Sequence, residues 1–134
     1  MVRAKLAVFA LIVFLVGCKT IFEYQREDKF SETTSAYKYA LTWSDYQAAS
    51  AFLIPEQAQG IAFEKLKNIK VTGYEVKKVT VSDSRLNRTQ IVEISYFKKN
   101  DMIIRTFNDE EVWEFDQTKD AWLLISGFPE FDLK

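Results

Sequence analysis

Length, composition and charge limit the classes of protein to which this sequence can belong. The chain has 134 residues, with 18 basic and 19 acidic side chains and a net charge of −1. This balance does not fit a nucleic-acid-binding protein, which normally carries a strongly basic surface. Only four Gly and two Pro, with 48% hydrophobic residues, argue against disorder and predict one ordinary globular domain.

The N-terminal segment has the layout of a secretory signal peptide. Arg3 and Lys5 precede an apolar run of eleven residues, 6–16, which is shorter than the roughly 20 residues of a membrane-spanning helix. The run ends in Leu-Val-Gly-Cys at 15–18, which resembles the lipobox of bacterial lipoproteins. The alternative is a short N-terminal membrane helix with an incidental cysteine.

The resemblance to a lipobox predicts three segments: a signal peptide at 1–17, a lipidated cysteine with a short tether at 18–23, and a globular domain at 24–134. Cys18 would receive a diacylglycerol (and palmitate) group, so its partner would be the membrane. As the single cysteine of the chain, it would leave no thiol for a disulfide or a metal. Lys19 after the cysteine resembles the sorting signal for an outer-membrane destination facing the periplasm.

Residues 24–41 are predicted to form a helix, with Phe30, Thr34, Tyr37 and Leu41 on one face. A second helix should begin after Thr42 or Ser44 as N-cap and end at or just after Pro55. A third, shorter helix is predicted within 57–67, weakened by Gly60.

From residue 69 the apolar period changes to two, which indicates strands. A long strand over 69–82 changes phase near Gly73 and near Lys77–Lys78, which predicts two bulges. A second strand over 88–99 and a third over 102–116 are joined by a turn at 98–101, and a shift is expected around 108–110. The last strand, 121–126, is almost entirely apolar and is expected to be buried on both faces.

Helices followed by four strands predict an α+β fold, with N-terminal helices packed on a curved four-stranded antiparallel sheet. The chain resembles the NTF2-like (cystatin-like) cone superfamily, and in particular small bacterial lipoproteins of that fold. The resemblance covers about residues 24–127. It is carried by the stretches 37–46 and 52–56, by Val-Trp-Glu-Phe at 112–115, and by Asp-Ala-Trp-Leu-Leu at 120–124.

The resemblance implies a pocket at the wide end of the cone, and six aromatic side chains are candidates to line it. They would suit an apolar ligand such as a lipid tail, or they would simply fill the core. They are Trp43, Phe52, Phe63, Trp113, Phe115 and Trp122.

No catalytic residue is predicted, and we expect the protein not to be an enzyme. The chain has no His. Asp45, Tyr46 and Tyr74 could be combined into an acid–base set, but no spacing in the sequence supports this. The sequence has no Cys/His spacing typical of metals and no Gly-rich loop, so neither a metal nor a cofactor is expected. The acidic run 109–111 is interpreted as a solvated turn.

The sequence therefore predicts a non-enzymatic interaction module of the cell envelope, whose partner is another envelope protein or a second copy of the chain. The first alternative is a carrier or sensor of a small apolar ligand. The second is an isomerase- or dehydratase-like enzyme. A filled cone would favour the interaction module, an open pocket the carrier, and a buried carboxylate facing a tyrosine hydroxyl in that pocket the enzyme.

Overall fold

A computed structural model describes the chain from Val2, and its side chains from residue 21 to residue 134. The elements are four helices, α1 (Val2–Thr42), α2 (Tyr46–Ser50), α3 (Pro55–Ala58) and α4 (Phe63–Leu66), followed by four strands, β1 (Ile69–Val81), β2 (Asn87–Lys98), β3 (Ile104–Asp116) and β4 (Ala121–Leu124). The predicted lipidation at Cys18 and sorting role of Lys19 lie outside the described side chains.

The chain divides into two compact units, residues 1–32 and residues 33–134. The described side chains of the first unit include the largely exposed Ile21, Phe22 and Tyr24. The second unit holds the end of α1, the three short helices and the whole sheet. Among residues 21–134 no helix combines the length and the apolar character needed to cross a membrane.

The sheet is an antiparallel meander in the order β1-β2-β3-β4, so each strand pairs with its neighbour in sequence. This confirms the predicted α+β class. Register shifts lie between Val71 and Gly73 and between Val76 and Lys78, where the change of phase predicts them. A side chain at Gly73 would press on Ser95 of β2, with Cβ atoms 3.3 Å apart.

Two predictions about the later strands are wrong. β2 and β3 pair without interruption from Asn87–Glu114 to Phe97–Ile104, so β3 has no shift around 108–110. β4 buries one face only: Trp122 and Leu124 are buried, whereas the residues between and before them are half-buried. Beside β4, the chain at Leu53 forms a parallel bridge to Leu124 and covers this edge of the sheet.

The boundary between α1 and α2 also differs from the prediction. Ser44 takes a left-handed backbone conformation with φ 59°, and the amide of Asp45 donates to the carbonyl of Ala40 at 2.9 Å. This is the Schellman ending of a helix, with serine where glycine is usual. Asp45, rather than Ser44 or Thr42, caps α2 by accepting from the amide of Ala48 at 3.0 Å.

The segment after α2 holds two short helices instead of the predicted single one. Pro55 begins α3 instead of ending α2, because proline at a first helical position loses no hydrogen bond. Gly60, with φ 76°, lies between α3 and α4 and separates them.

The core lies between the end of α1 and one face of the sheet. Tyr37 and Leu41 on α1 are fully buried, as the helical period predicts. The Tyr37 ring meets the ring of Trp113 on β3 edge-on, with centroids 5.4 Å apart. On β2 the buried face carries Gln90, Val92, Ile94 and Tyr96, the set that the alternation predicts.

Candidate functional site

A fully buried carboxylate, Glu111 of β3, is the most unusual group in the core. The Tyr74 hydroxyl of β1 lies 2.7 and 2.9 Å from its two oxygens and donates to the carboxylate. The Gln90 amide and the Trp113 indole donate to Oε2 at 3.3 and 3.1 Å. Burial raises the pKa of Glu111, and these donors act in the opposite direction. We call these four side chains the buried acid network.

A second carboxylate, Asp109, precedes Glu111 by two positions and lies on the same face of β3. Burial raises its pKa to about 7, with further contributions from the negative charges of Glu111, Glu130 and Glu110. The buried hydroxyl of Tyr37 has no hydrogen-bond partner within the described part of the chain. Burial first, then Glu111, raises the pKa of this tyrosine.

The interpretation of 109–111 as a solvated turn is therefore wrong, because these residues lie in the middle of β3. The signal that locates them is the strand period. Asp109 and Glu111 are in phase with the apolar Phe107, Trp113 and Phe115, so they occupy inward positions of an otherwise apolar face.

The buried acid network places a carboxylate against a tyrosine hydroxyl, as acid–base enzymes do. Both Glu111 oxygens are already bound by protein donors, however, and the residue has no exposed surface. In this arrangement the network links β1, β2 and β3 and does not present the carboxylate to a substrate. That the protein is not an enzyme stays a prediction.

The structure gives Asp45, Tyr46 and Tyr74, the three residues of the hypothetical acid–base set, different structural roles. Asp45 caps α2, while the Tyr46 hydroxyl donates to the carbonyl of Ile69 at 2.8 Å. Tyr74 belongs to the buried acid network.

One cavity, of about 470 Å³, opens beside β3. Its walls come from β2, from β3 and from the segment 125–134 that follows β4. The side chains that decide its chemistry are Tyr96, Phe107, Asp109, Phe128, Glu130 and Asp132. We call it the β3 cavity.

A second concavity, of about 640 Å³, lies on the helical side of the second unit. Tyr39 of α1 and Trp43 of the turn after it lie at this surface. They are 64% and 67% exposed, and their ring centroids are 5.8 Å apart. The remaining wall is made mainly of small or apolar side chains: Ala36, Ala40, Ala48, Ala51 and Phe52. We call it the aromatic groove.

The structure places the six predicted pocket residues in different surroundings. Trp43 and Phe52 line the aromatic groove together. Trp113, Trp122 and Phe115 are buried in the core, the last two with rings 5.4 Å apart, and Phe63 is half-buried at the start of α4.

Residues 21–134 contain no group of three or more acidic, Cys or His side chains arranged to hold a metal ion. Comparison of the chain with family models, curated proteins and solved structures found no match. The resemblance to lipoproteins and to the NTF2-like cone therefore stays a prediction from the sequence.

Proposed function

We propose that the chain is a bacterial lipoprotein anchored through Cys18, with Lys19 directing it to the outer membrane facing the periplasm. Its globular domain has the NTF2-like cone and acts as a non-enzymatic interaction module. The lipid restricts the domain to the membrane surface, where a partner in the same membrane is encountered at high effective concentration.

The aromatic groove is the observation that carries this proposal. Large apolar side chains at the surface of a soluble domain are a feature of interaction sites, and Trp and Tyr dominate binding energies there. The exposed Trp43 ring lies beside the Tyr39 ring, with centroids 5.8 Å apart. The Lys70 ammonium, which donates to the Thr42 carbonyl at 2.8 Å, lies 6.0 Å from the Trp43 ring centroid. Such contacts reduce the conformational freedom that the ring loses when a partner binds.

The state of the domain interior also supports an interaction role over an apolar carrier. Trp113, Trp122, Tyr37 and Leu41 fill the space between α1 and the sheet, each with 1% exposure or less. A lipid tail would have to displace these side chains, and the open β3 cavity is lined by the carboxylates of Asp109, Glu130 and Asp132, which do not suit an apolar ligand. The partner that fits the aromatic groove is an apolar protein segment, whose side chains enter the space above the four alanines.

Site-specific photo-crosslinking in cells tests this proposal on the full-length lipidated chain. A photo-reactive residue at Tyr39, in the groove, is compared with one at Glu114, an exposed position of β3. We expect a defined adduct with one envelope protein from position 39 and none from position 114. The adduct should disappear with Trp43→Ala and weaken with Cys18→Ala.

The captured protein, once purified, should bind the wild-type chain at least about tenfold more tightly than Trp43→Ala. Thermal unfolding of the variant should be unchanged, since Trp43 is exposed. Equal adducts from both positions, or adducts that survive Trp43→Ala, would refute the groove as the binding surface. Adducts only with a second copy of the chain would identify homodimerisation instead.

A further inference from the structure

The β3 cavity has the size of a small-molecule site. Its volume of about 470 Å³ lies within the range of ligand pockets. One wall is the segment after β4, which is firmly attached. The Ile125 amide donates to the Val112 carbonyl at 2.8 Å, and the buried Lys98 ammonium donates to Asp132 and to the Lys134 carbonyl at 2.8 and 2.9 Å.

The charges around the cavity do not balance. Its one basic side chain, Arg105, is paired with Asp101, to which Nη1 donates at 3.0 Å. Asp132 is paired with Lys98. Asp109 and Glu130 form no ion pair with any described residue, and burial first, then the negative charges of Glu111 and Glu130, raise the pKa of Asp109. The cavity therefore has an excess of negative charge where it meets β3.

Aromatic rings form the apolar part of the same cavity. Tyr96 and Phe107 contact edge-to-face, with centroids 5.8 Å apart and planes at 86°, and Phe128 lies in the wall after β4. Rings attract an organic cation through their negative faces, and carboxylates attract it by charge. Within residues 21–134 these carboxylates do not belong to any group of three or more that could hold a metal ion.

We propose that the β3 cavity binds a small organic ammonium ion, such as a short alkyl diamine. Its ammonium group would meet the carboxylates of Asp109 and Glu130, and its methylene groups would contact Phe107 and Phe128. This ligand site shares no lining residue with the aromatic groove, so it is a function additional to partner binding.

Isothermal titration of the full-length chain in a non-ionic detergent tests the site, with 1,4-diaminobutane as the probe and 1,4-butanediol as its neutral counterpart. We expect the diamine to bind and the diol not to bind. Asp109→Asn should weaken binding by about tenfold to a hundredfold, the usual cost of losing a charged hydrogen-bond partner. Glu114→Gln, on the same strand but exposed, should leave binding unchanged.

Binding should also be tighter at pH 8 than at pH 5.5, since ionised Asp109 is needed. The titratable groups that act on Asp109 are Glu111, Glu130 and Glu110. The charge of Asp109 in turn raises the pKa of Tyr37 and of Tyr74. No binding of the diamine at either pH would overturn the proposal. Equal weakening by Asp109→Asn and Glu114→Gln would overturn it too, because it would indicate only general attraction to an acidic protein.

Discussion

Replacing Asp109 with asparagine is expected to stabilise the protein above neutral pH and to leave it unchanged in acid. The pKa of this carboxyl is about 7 in the folded chain, against an ordinary value of 3.8. The folded state therefore favours the protonated form. The stabilising contribution of the protonated Asp109 carboxyl is complete below about pH 4 and is lost as the pH rises through 7.

The magnitude follows from the difference between the two pKa values. At 1.36 kcal/mol per pKa unit, ionising Asp109 in place costs at most about 4 kcal/mol. Because the side chain is only half-buried, solvent screening lowers this to about 2–4 kcal/mol. Asparagine has nearly the same shape and no charge, so Asp109→Asn should raise the free energy of unfolding by that amount at pH 8 and by almost nothing at pH 4.

Urea unfolding of the full-length chain in detergent, followed by tryptophan fluorescence, measures both values. The variant should retain a smaller pH dependence, since burial also raises the pKa of Glu111. Asp101→Asn is the matched control, because its effect on the pH dependence of stability should have the opposite sign. The Arg105 guanidinium lowers the pKa of Asp101 to about 2, so its contribution is present above about pH 4 and is lost below it. If the free energies of unfolding of wild type and Asp109→Asn differed by the same amount at pH 4 and at pH 8, this would refute the reasoning.

Three further changes test the packing around the sites. Tyr74→Phe removes the hydroxyl that donates to Glu111 and should lower the free energy of unfolding by about 1–3 kcal/mol. Ser44→Gly relieves a left-handed backbone at φ 59° and should raise it by about 0.5–1 kcal/mol. Gly127→Ala should lower it by more than about 1 kcal/mol, because φ is 92° and the new Cβ would lie 2.8 Å from a side-chain oxygen of α3. Urea unfolding at pH 7 measures all three.

Tyr74→Phe and Gly127→Ala each have a control in the same chain. Tyr39→Phe removes a hydroxyl from an exposed ring, and Gly60→Ala meets no atom within 4 Å although φ is 76°. Tyr74→Phe should cost clearly more than Tyr39→Phe, and Gly127→Ala more than Gly60→Ala. Equal effects within either pair would show that the contact assigned to the first member contributes nothing. A loss of stability in Ser44→Gly would contradict the strain assigned to that residue.

The strands could be predicted from the sequence because their signal is local. Alternating apolar residues locate β1 and β2, and the breaks in alternation at Gly73 and Lys77 mark the two bulges. The buried face of β2 follows from the same alternation. Each of these features depends on residues only two to four positions apart.

The helix boundaries and the buried acids could not be predicted, because tertiary structure decides them. Ser44 ends one helix and Asp45 begins the next, although either side chain suits an N-cap. Glu111 is stable inside the core because it meets Tyr74, which is 37 positions away in the chain. Trp43 has a large apolar side chain of the kind that usually packs in a core, yet it lies exposed in the aromatic groove.

The meander order of the sheet also bears on how the chain folds. Every strand pairs with the next one in sequence, so the sheet can grow by closing short loops, at a low entropic cost for each step. The contact of Tyr37 with Trp113 joins parts of the chain that are far apart, and it closes a much longer loop. We therefore expect a change within the β2–β3 hairpin to slow folding, whereas Tyr37→Leu, which removes the ring that meets Trp113, mainly speeds unfolding. Stopped-flow folding rates of the two variants would show whether the hairpins form before α1 docks on them.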